Sequence, residues 1–234
     1  NVEVRVTEIK NNSKKLIIYV HGGAFVFGPL KHHWNTLEKL AESTSYHLWL
    51  CDYPKAPEHN ITTINENIDA VYQAAADMTC YDEIIMMGDS VGGTLILTLI
   101  QRRIALKFSL PSLLILISPV LDASFDNPDC IDVDKKDPML SITGILSANR
   151  MCVSQQNLKH SSISPLFGEF EGFPETHLFI AENDITYPDQ LILSRILAKQ
   201  KVKHHVEIGK GMPHIWPLLP IMSESKKSLQ DIIE

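Results

Sequence analysis

The sequence lacks any apolar run long enough to cross a membrane. No uninterrupted stretch approaches the roughly 20 residues of a bilayer-spanning helix, and the opening from Asn1 to Lys15 is too polar for the apolar centre of a signal peptide. Basic clusters are also lacking, since 21 Lys and Arg face 28 Asp and Glu and the formal net charge is -7. We therefore expect no membrane span and no nucleic-acid partner.

Cysteines are few, and they are scattered along the chain. The four of them (Cys51, Cys80, Cys130 and Cys152) have neither metal-ligand nor redox spacing, and no group of His, Asp and Glu has metal-ligand spacing either. We expect no metal and no other cofactor. Cysteine usage of this kind fits a reducing cytoplasm, which is the location that the sequence favours.

Short apolar runs alternate with longer helical patterns. Runs typical of buried strands lie at 16–20, 48–51, 84–87, 113–117, 178–181 and 202–208. Val2, Val4 and Val6 alternate with polar residues, which is typical of an edge strand. The pattern predicts an α/β fold with a mostly parallel sheet of about eight strands, flanked by helices.

The length of 234 residues suits a single domain, here taken as 1–234. From about residue 123 to 173 the chain has no convincing strand pattern, and this interval is far longer than a usual connection. We expect it to be a helical cap inserted into the domain. Both a monomer and a homodimer are compatible with the sequence.

A serine between glycines follows one of the buried strand patterns. The segment from Ile84 to Gly93 reads IIMMGDSVGG, and a helical pattern follows it. Gly88 and Gly92 allow the strained, crowded turn on which a nucleophilic serine is exposed. We predict Ser90 as the nucleophile and the Val91 N–H as a donor to the oxyanion. Similar turns in nucleotide-binding folds are the alternative that the motif alone leaves open.

Paired glycines follow the first buried strand pattern. We predict that Gly22 and Gly23 direct backbone N–H groups toward a ligand and provide the second and third oxyanion donors. The alternative is a tight turn in which glycine only supplies a positive φ. His21, at the root of this loop, is predicted to hold the loop by hydrogen bonds.

Two later strand ends offer an acid and a base. Folds built around such a serine turn deliver the acid first and the histidine second. Asp184 follows the strand pattern that ends at 181, and His214 lies in a Gly/Pro-rich loop after the last strand pattern. We predict Asp184 as the orienting carboxylate and His214 as the general base. Glu182 and Asp189 compete with Asp184, although Asp189 is better explained as a helix N-cap.

Taken together, these motifs resemble the hormone-sensitive-lipase-like branch of the α/β-hydrolases, the bacterial family IV esterases. That family's His-Gly-Gly-Gly and Gly-Asp-Ser-Ala-Gly-Gly signatures stand here as HGGA from His21 and GDSVGG from Gly88. A third match is DYPKAPE from Asp52, similar to the family's Asp-Tyr-Arg-Leu-Ala-Pro-Glu. Ala24 replaces the third glycine, and the N-terminal cap helices typical of the family are not in this sequence.

The resemblance implies an α/β-hydrolase fold and cleavage of a small ester with a short acyl chain through an acyl-enzyme. Phe25, Phe27, Trp34 and Trp216 are aromatic candidates for the substrate pocket, and Phe25 and Trp216 are the two predicted to line it. His32 and His33 are interpreted as surface or loop residues. An amidase, a formamidase or a sugar deacetylase would use the same triad. A homologue that binds a ligand without turnover is an alternative from another class.

Overall fold

The computed structural model describes residues 5–153, 157–219 and 222–233. The strands of this part are β1 (Val6–Ile9), β2 (Lys15–Val20), β3 (His47–Cys51), β4 (Glu83–Asp89), β5 (Leu113–Ile117), β6 (Glu175–Asn183) and β7 (His204–Pro213). Its α-helices are α1 (Lys31–Thr44), α2 (Ile61–Ala76), α3 (Val91–Leu106), α4 (Asp129–Asp134), α5 (Ile142–Cys152), α6 (Tyr187–Lys199) and α7 (Ser223–Ile233). Short 3-10 helices span Pro165–Phe167 and Trp216–Leu218.

The strands form one sheet in the order β1-β3-β2-β4-β5-β6-β7, in which only the pairing of β1 with β3 is antiparallel. The sheet therefore has seven strands within the described residues, against the expectation of about eight. The observed edge strand β1 begins at Val6, the last of the three valines in the predicted edge strand. Val2 and Val4 lie outside the described residues. β7 extends to Pro213, so most of the loop predicted before His214 continues the last strand.

The central strands are apolar throughout because both of their faces are covered. On β2, Leu16, Ile18 and Val20 face a core that includes residues of α2, α3 and α6. Ile17 and Tyr19 point to the opposite core, which is closed by α1 and the 3-10 helix Trp216–Leu218. Burial of each such side chain contributes about 1.5–3 kcal/mol, which explains why the strand carries no polar alternation.

The register of the parallel strands gathers their carboxyl ends at one edge of the sheet. Val20 lies opposite Gly88, so the loop that follows β2 runs beside the serine turn that follows β4. Asn183 lies opposite Pro213, so the loops after β6 and β7 are neighbours as well. All four segments chosen from the sequence therefore meet at one edge.

The interval from 123 to 173 contains α4, α5 and the 3-10 helix Pro165–Phe167, and no strand among its described residues 123–153 and 157–173. Its contacts with the rest of the protein are polar as well as apolar. The side-chain amide of Asn65 on α2 donates to the Ser162 carbonyl at 2.9 Å. Throughout the described part of the chain, no helix is both long and apolar enough to traverse a bilayer.

A methyl group at Gly92 tests how tightly α3 is packed against β2. A Cβ at this position would collide with the carbonyl group of Val20, 2.8 Å from its carbon, and would lie 2.9 Å from the His21 carbonyl oxygen. Backbone atoms cannot rotate away, so we expect Gly92→Ala to lower the free energy of unfolding by about 1–3 kcal/mol in urea titrations. The exposed Ala105→Ser on the same helix should stay within about 0.5 kcal/mol of the wild type, and equal stability of the two variants would contradict this packing.

Candidate active site

Ser90 occupies a strained turn between β4 and α3. Its backbone has φ 52° and ψ -124°, a conformation that L-residues rarely adopt and that persists only where the surroundings enforce it. The Ser90 N–H donates to the Ile117 carbonyl at 2.9 Å, and the Ser90 carbonyl accepts the Gly93 N–H at 3.0 Å. A Cβ at Gly88 would lie 2.8 Å from the Val20 carbonyl oxygen, which is why only glycine fits there. The turn is held by the strands on both sides of it.

His214 and Asp184 form a buried pair across the ends of β6 and β7. The His214 Nδ1 donates to the Asp184 Oδ2 at 2.7 Å, and the other carboxylate oxygen accepts the Thr186 N–H at 2.9 Å. Burial by itself lowers the pKa of His214, but nearby carboxylates, led by Asp184, together outweigh it, and the net pKa lies above the ordinary 6.5. With Nδ1 as the donor, the neutral imidazole keeps a lone pair on Nε2.

The two competing carboxylates have other partners. Glu182 Oε2 accepts the Gly211 N–H at 2.8 Å. Asp189 accepts a hydrogen bond from the Asn127 side-chain amide at 2.7 Å and lies in the first turn of α6, whose N-cap is Thr186. The interpretation of Asp189 as an N-cap is therefore wrong. The pKa of Asp189 is raised to about 6, because burial and the nearby Asp122 raise it by more than the Asn127 bond lowers it.

A pocket of about 500 Å³ opens above Ser90 and His214. One wall comes from the loop between β2 and α1, and the other comes from the residues that precede and begin α5. Most of its lining side chains are apolar. The lining residues are Gly23, Ala24, Val26, Phe27, Leu30, His32, His33, Asp89, Ser90, Met139, Leu140, Ser141, Gly144, Ile145, Ala148, His214 and Ile215.

The loop after β2 differs from its predicted role at one residue. The Gly22 N–H donates to Asp89 Oδ1 at 3.0 Å, and Gly22 does not line the pocket. Gly22 therefore cannot offer this N–H to an oxyanion, and its assignment as a donor needs correction. Gly23 and Ala24, with φ of 122° and 52°, do line the pocket. In the described part of the chain, no acceptor is found for the N–H groups of Gly23, Ala24 or Val91.

Asp89 carries a buried negative charge beside the nucleophile. Besides the Gly22 N–H, its carboxylate accepts the Tyr19 hydroxyl at 2.8 Å and the His33 Nε2–H at 3.2–3.3 Å. Burial would raise the pKa of Asp89, but these bonds, led by the one from His33, hold it at about 2. The interpretation of His33 as a surface residue is wrong, because His33 is buried. No local sequence signal pairs His33 with Asp89, which lies 56 positions further along the chain.

His21 is buried at the root of the loop. Its Nδ1 lies 2.5 Å from the Gly22 carbonyl oxygen, and its ring stacks on Tyr53 with 4.5 Å between ring centroids. The Tyr53 hydroxyl donates to the His21 carbonyl at 2.9 Å. Burial lowers the pKa of His21 to about 4, so the ring is neutral near pH 7. These contacts fit the structural role predicted for it.

His32, His33 and Asp89 bring three potential metal-ligand atoms within 4.8 Å of one another. The Leu30 N–H donates to His33 Nδ1 at 2.8 Å, so Nδ1 carries the lone pair and Nε2 carries the proton directed at Asp89. A metal ion would need the lone pair on Nε2 instead. The hydrogen bonds of this cluster therefore suit a structural anchor better than a metal site.

The two aromatic residues predicted for the pocket do not line it. Phe25 is buried in the core that covers one face of the sheet. Trp216 is buried against Gly209, and its indole N–H donates to the Ile180 carbonyl at 3.2 Å. Phe27, another of the four aromatic candidates, is 49% exposed and does line the pocket, whereas Trp34 does not. The positive φ of both Ala24 and Phe25 breaks the regular alternation by which side chains in a loop could be assigned.

Comparison with known proteins identifies relatives of this chain. A family model described as alpha/beta hydrolase fold matches residues 17–218. An esterase of Acinetobacter venetianus is 31% identical over 245 residues, covering 99% of this chain and 78% of that relative. A carboxylesterase/phospholipase of Mycobacterium tuberculosis is 26% identical, and the match covers 93% of this chain and 60% of that relative's length.

Solved structures agree with the family match. A protein from Staphylococcus aureus superimposes with a TM-score of 0.90 at 28% identity, covering 100% of this chain and 83% of that one. An esterase from the bacterial hormone-sensitive lipase family has a TM-score of 0.89 at 22% identity, covering 100% of this chain and 84% of that one, and by itself shows the fold alone. The α/β-hydrolase fold and the resemblance drawn from the sequence are thereby confirmed.

The pKa of Asp189 predicts a pH-dependent effect on stability. In the folded protein its carboxyl group holds a proton up to about pH 6, whereas the ordinary pKa is 3.8. The folded state therefore loses stability as the pH rises through this window. We expect Asp189→Asn to be more stabilising near about pH 7.5 than near about pH 4, by on the order of 1–3 kcal/mol in urea unfolding. The exposed Asp129→Asn is the control, and an effect of Asp189→Asn that is equal at both pH values would contradict the shift.

Proposed function

Because this chain belongs to the α/β-hydrolase fold family, we propose that it hydrolyses carboxylic esters with Ser90 as nucleophile, His214 as general base and Asp184 as orienting acid. Matched relatives carry the names esterase and carboxylesterase/phospholipase. The chain is a hydrolase of the esterase type. The observation that carries the proposal is that Ser90 and His214 line one pocket while Asp184 accepts the His214 Nδ1 hydrogen at 2.7 Å.

In the proposed first step, the Ser90 hydroxyl attacks the ester carbonyl carbon and His214 Nε2 takes the hydroxyl proton. The Asp184 carboxylate stabilises the imidazolium that forms. His214 then gives the proton to the departing alcohol oxygen, and the ester's acyl group remains on Ser90. Water, deprotonated by the same histidine, attacks the carbonyl carbon of this acyl-enzyme. His214 then returns the proton to the Ser90 oxygen as its bond to the acyl carbon breaks and the carboxylic acid leaves.

The oxyanion that develops during each attack needs preorganised donors. We assign this role to the N–H groups of Gly23, Ala24 and Val91. Gly23 and Ala24 line the pocket, and Val91 is the first residue of α3, whose initial N–H groups have no intrahelical acceptor. This choice moves the loop's contribution one residue along the chain from the sequence prediction, because Asp89 already engages the Gly22 N–H.

The lining of the pocket favours an uncharged substrate. No Lys, Arg or Glu is among its lining residues, and Asp89 is buried and fully engaged. Phe27, Leu30, Met139 and Ile145 offer apolar surface to an acyl chain or an alcohol group. A small ester with a short acyl chain suits this environment, and we propose the segment from 123 to 173 as the cap that closes it. A cytoplasmic location stays a prediction from the sequence, with which a monomer and a homodimer are both compatible.

Ester hydrolysis is tested with p-nitrophenyl acetate, butyrate and decanoate. We expect turnover by the wild type that falls with acyl length, and a loss on the order of 10³-fold or more in Ser90→Ala, because the attacking oxygen is gone. Circular dichroism checks that the variant is folded. Unchanged turnover in Ser90→Ala would contradict the assignment of the nucleophile.

The same assay separates the alternatives. Faster cleavage of p-nitroacetanilide than of p-nitrophenyl acetate would favour an amidase. Failure of the folded wild type to turn over either probe would favour a binding protein.

The raised pKa of His214 predicts the pH profile. The base must be neutral, so kcat/KM should rise with pH through a pKa that lies above 6.5. Asp184→Asn should lower kcat by as much as about 10⁴-fold, as in other triads, and move the acidic limb of the residual activity to lower pH. Glu182→Gln is the matched control and should keep both the rate and the limb. A larger loss in Glu182→Gln than in Asp184→Asn would reverse the assignment of the acid.

A further inference from the structure

Asp137 lies between α4 and α5 and accepts three backbone hydrogen bonds. Its Oδ1 accepts the N–H groups of Met139 at 2.8 Å and Leu140 at 2.9 Å. Its Oδ2 accepts the N–H of Ile185 at 2.9 Å, across 48 positions of sequence. A carboxylate that accepts several N–H groups makes charge-assisted bonds, which are stronger than bonds between neutral groups.

These three hydrogen bonds connect a wall of the pocket to the loop that follows β6. Met139 and Leu140 line the pocket, on the wall contributed by the 123–173 segment. Ile185 directly follows the proposed catalytic acid. The next amide, that of Thr186, donates to Asp184 itself at 2.9 Å, so two successive N–H groups of this loop are divided between Asp137 and Asp184.

We infer that Asp137 is a positioning residue that couples the pocket wall at Met139 and Leu140 to the loop holding Asp184. The inference rests on the proposed function, because it assigns Asp137 a part in the same reaction. Through its Oδ1 the carboxylate fixes the surface that contacts the substrate. Through its Oδ2 it fixes the loop that orients His214. Loss of Asp137 therefore affects substrate binding and the chemical step together.

The charge of Asp137 also acts on the general base. Within the described part of the chain, the ionisable groups whose charges act on His214 include Asp184 at the end of β6, Asp89 at the end of β4, Asp137 before α5, and His32 on α1. Burial lowers the pKa of His214, and the three carboxylates raise it, with Asp184 acting most strongly. Removing the charge at position 137 should therefore make His214 lose its proton at a lower pH.

A neighbouring carboxylate provides the matched control. Asp134 Oδ1 accepts the Ile142 N–H at 2.8 Å, so it also caps backbone within the same segment. Neither Asp134 nor Ile142 lines the pocket, and this bond does not reach the Asp184 loop. A role in merely stabilising the segment predicts equal effects for Asp134 and Asp137, whereas the coupling predicts different ones.

The experiment compares Asp137→Asn, Asp137→Ala and Asp134→Asn in the full chain. Asn keeps the shape and one acceptor oxygen but removes the charge, whereas Ala removes all three bonds. The readouts are KM and kcat for p-nitrophenyl acetate and butyrate, the acidic limb of kcat/KM, and titration of the His214 ring by NMR. The NMR titration needs no turnover and can be repeated in Ser90→Ala.

We expect Asp137→Ala to raise KM for butyrate and to lower kcat, with a combined loss in kcat/KM of about tenfold or more. We expect Asp137→Asn to move the acidic limb and the His214 titration to lower pH with a smaller loss of rate. Asp134→Asn should leave KM, kcat, the acidic limb and the His214 titration unchanged. Indistinguishable results for Asp134→Asn and both Asp137 variants would overturn the inference.

An inactive wild type would overturn the proposed function separately. The His214 titration would then still decide whether Asp137 is coupled to this histidine. An unchanged titration in Asp137→Asn would overturn the coupling, and a titration shifted to lower pH would support it.

Discussion

The arrangement of this site depends on the hydrogen bonds that the buried carboxylate of Asp89 accepts. A charge removed from water must be fully compensated by hydrogen bonds or opposite charge, or the fold loses several kcal/mol. Here the compensation comes from Tyr19 on β2, from the Gly22 N–H in the loop after β2, and from His33 on α1. Three segments are thereby fixed on the residue that precedes Ser90. The buried charge thus sets the position of the loop relative to the nucleophile.

This constraint explains which backbone groups remain for catalysis. Because Asp89 takes the Gly22 N–H, the loop can offer only the N–H groups that follow it, at Gly23 and Ala24. The positive φ values of Gly23, Ala24 and Phe25 turn the chain sharply at this point and leave Phe27 beside the pocket. The close contact between Gly92 and the Val20 carbonyl keeps the nucleophile turn against the same strand end. Loop and turn therefore form one unit whose geometry is fixed before substrate binds.

The sequence predicts those parts of the molecule that are encoded locally. Buried strands show as apolar runs, and the turn around Ser90 shows through its glycines, because a strained turn requires small neighbours wherever it occurs. Asp184 and His214 could be chosen because chain order and strand ends restrict the candidates. The partner of Asp89 could not be chosen, since the pairing of His33 with it depends on how α1 packs over the sheet. Phe25 and Trp216 failed as pocket residues for a related reason: an aromatic residue in a loop can turn to either side, and tertiary packing decides which.

Three carboxylates from separate segments raise the pKa of His214, and their joint effect links the sheet to the inserted segment. Asp184 and Asp89 lie at strand ends, where the sheet fixes their positions, whereas Asp137 lies in the inserted segment that also forms a pocket wall. An imidazolium that forms during proton transfer is stabilised by all three charges, but only Asp137 belongs to the segment that forms this wall. The position of that segment therefore sets the electrostatic environment of the base as well as the shape of the pocket. Substrate fit and the basicity of His214 are connected through the side chain of Asp137. The inserted segment therefore influences the chemistry although it supplies no member of the triad.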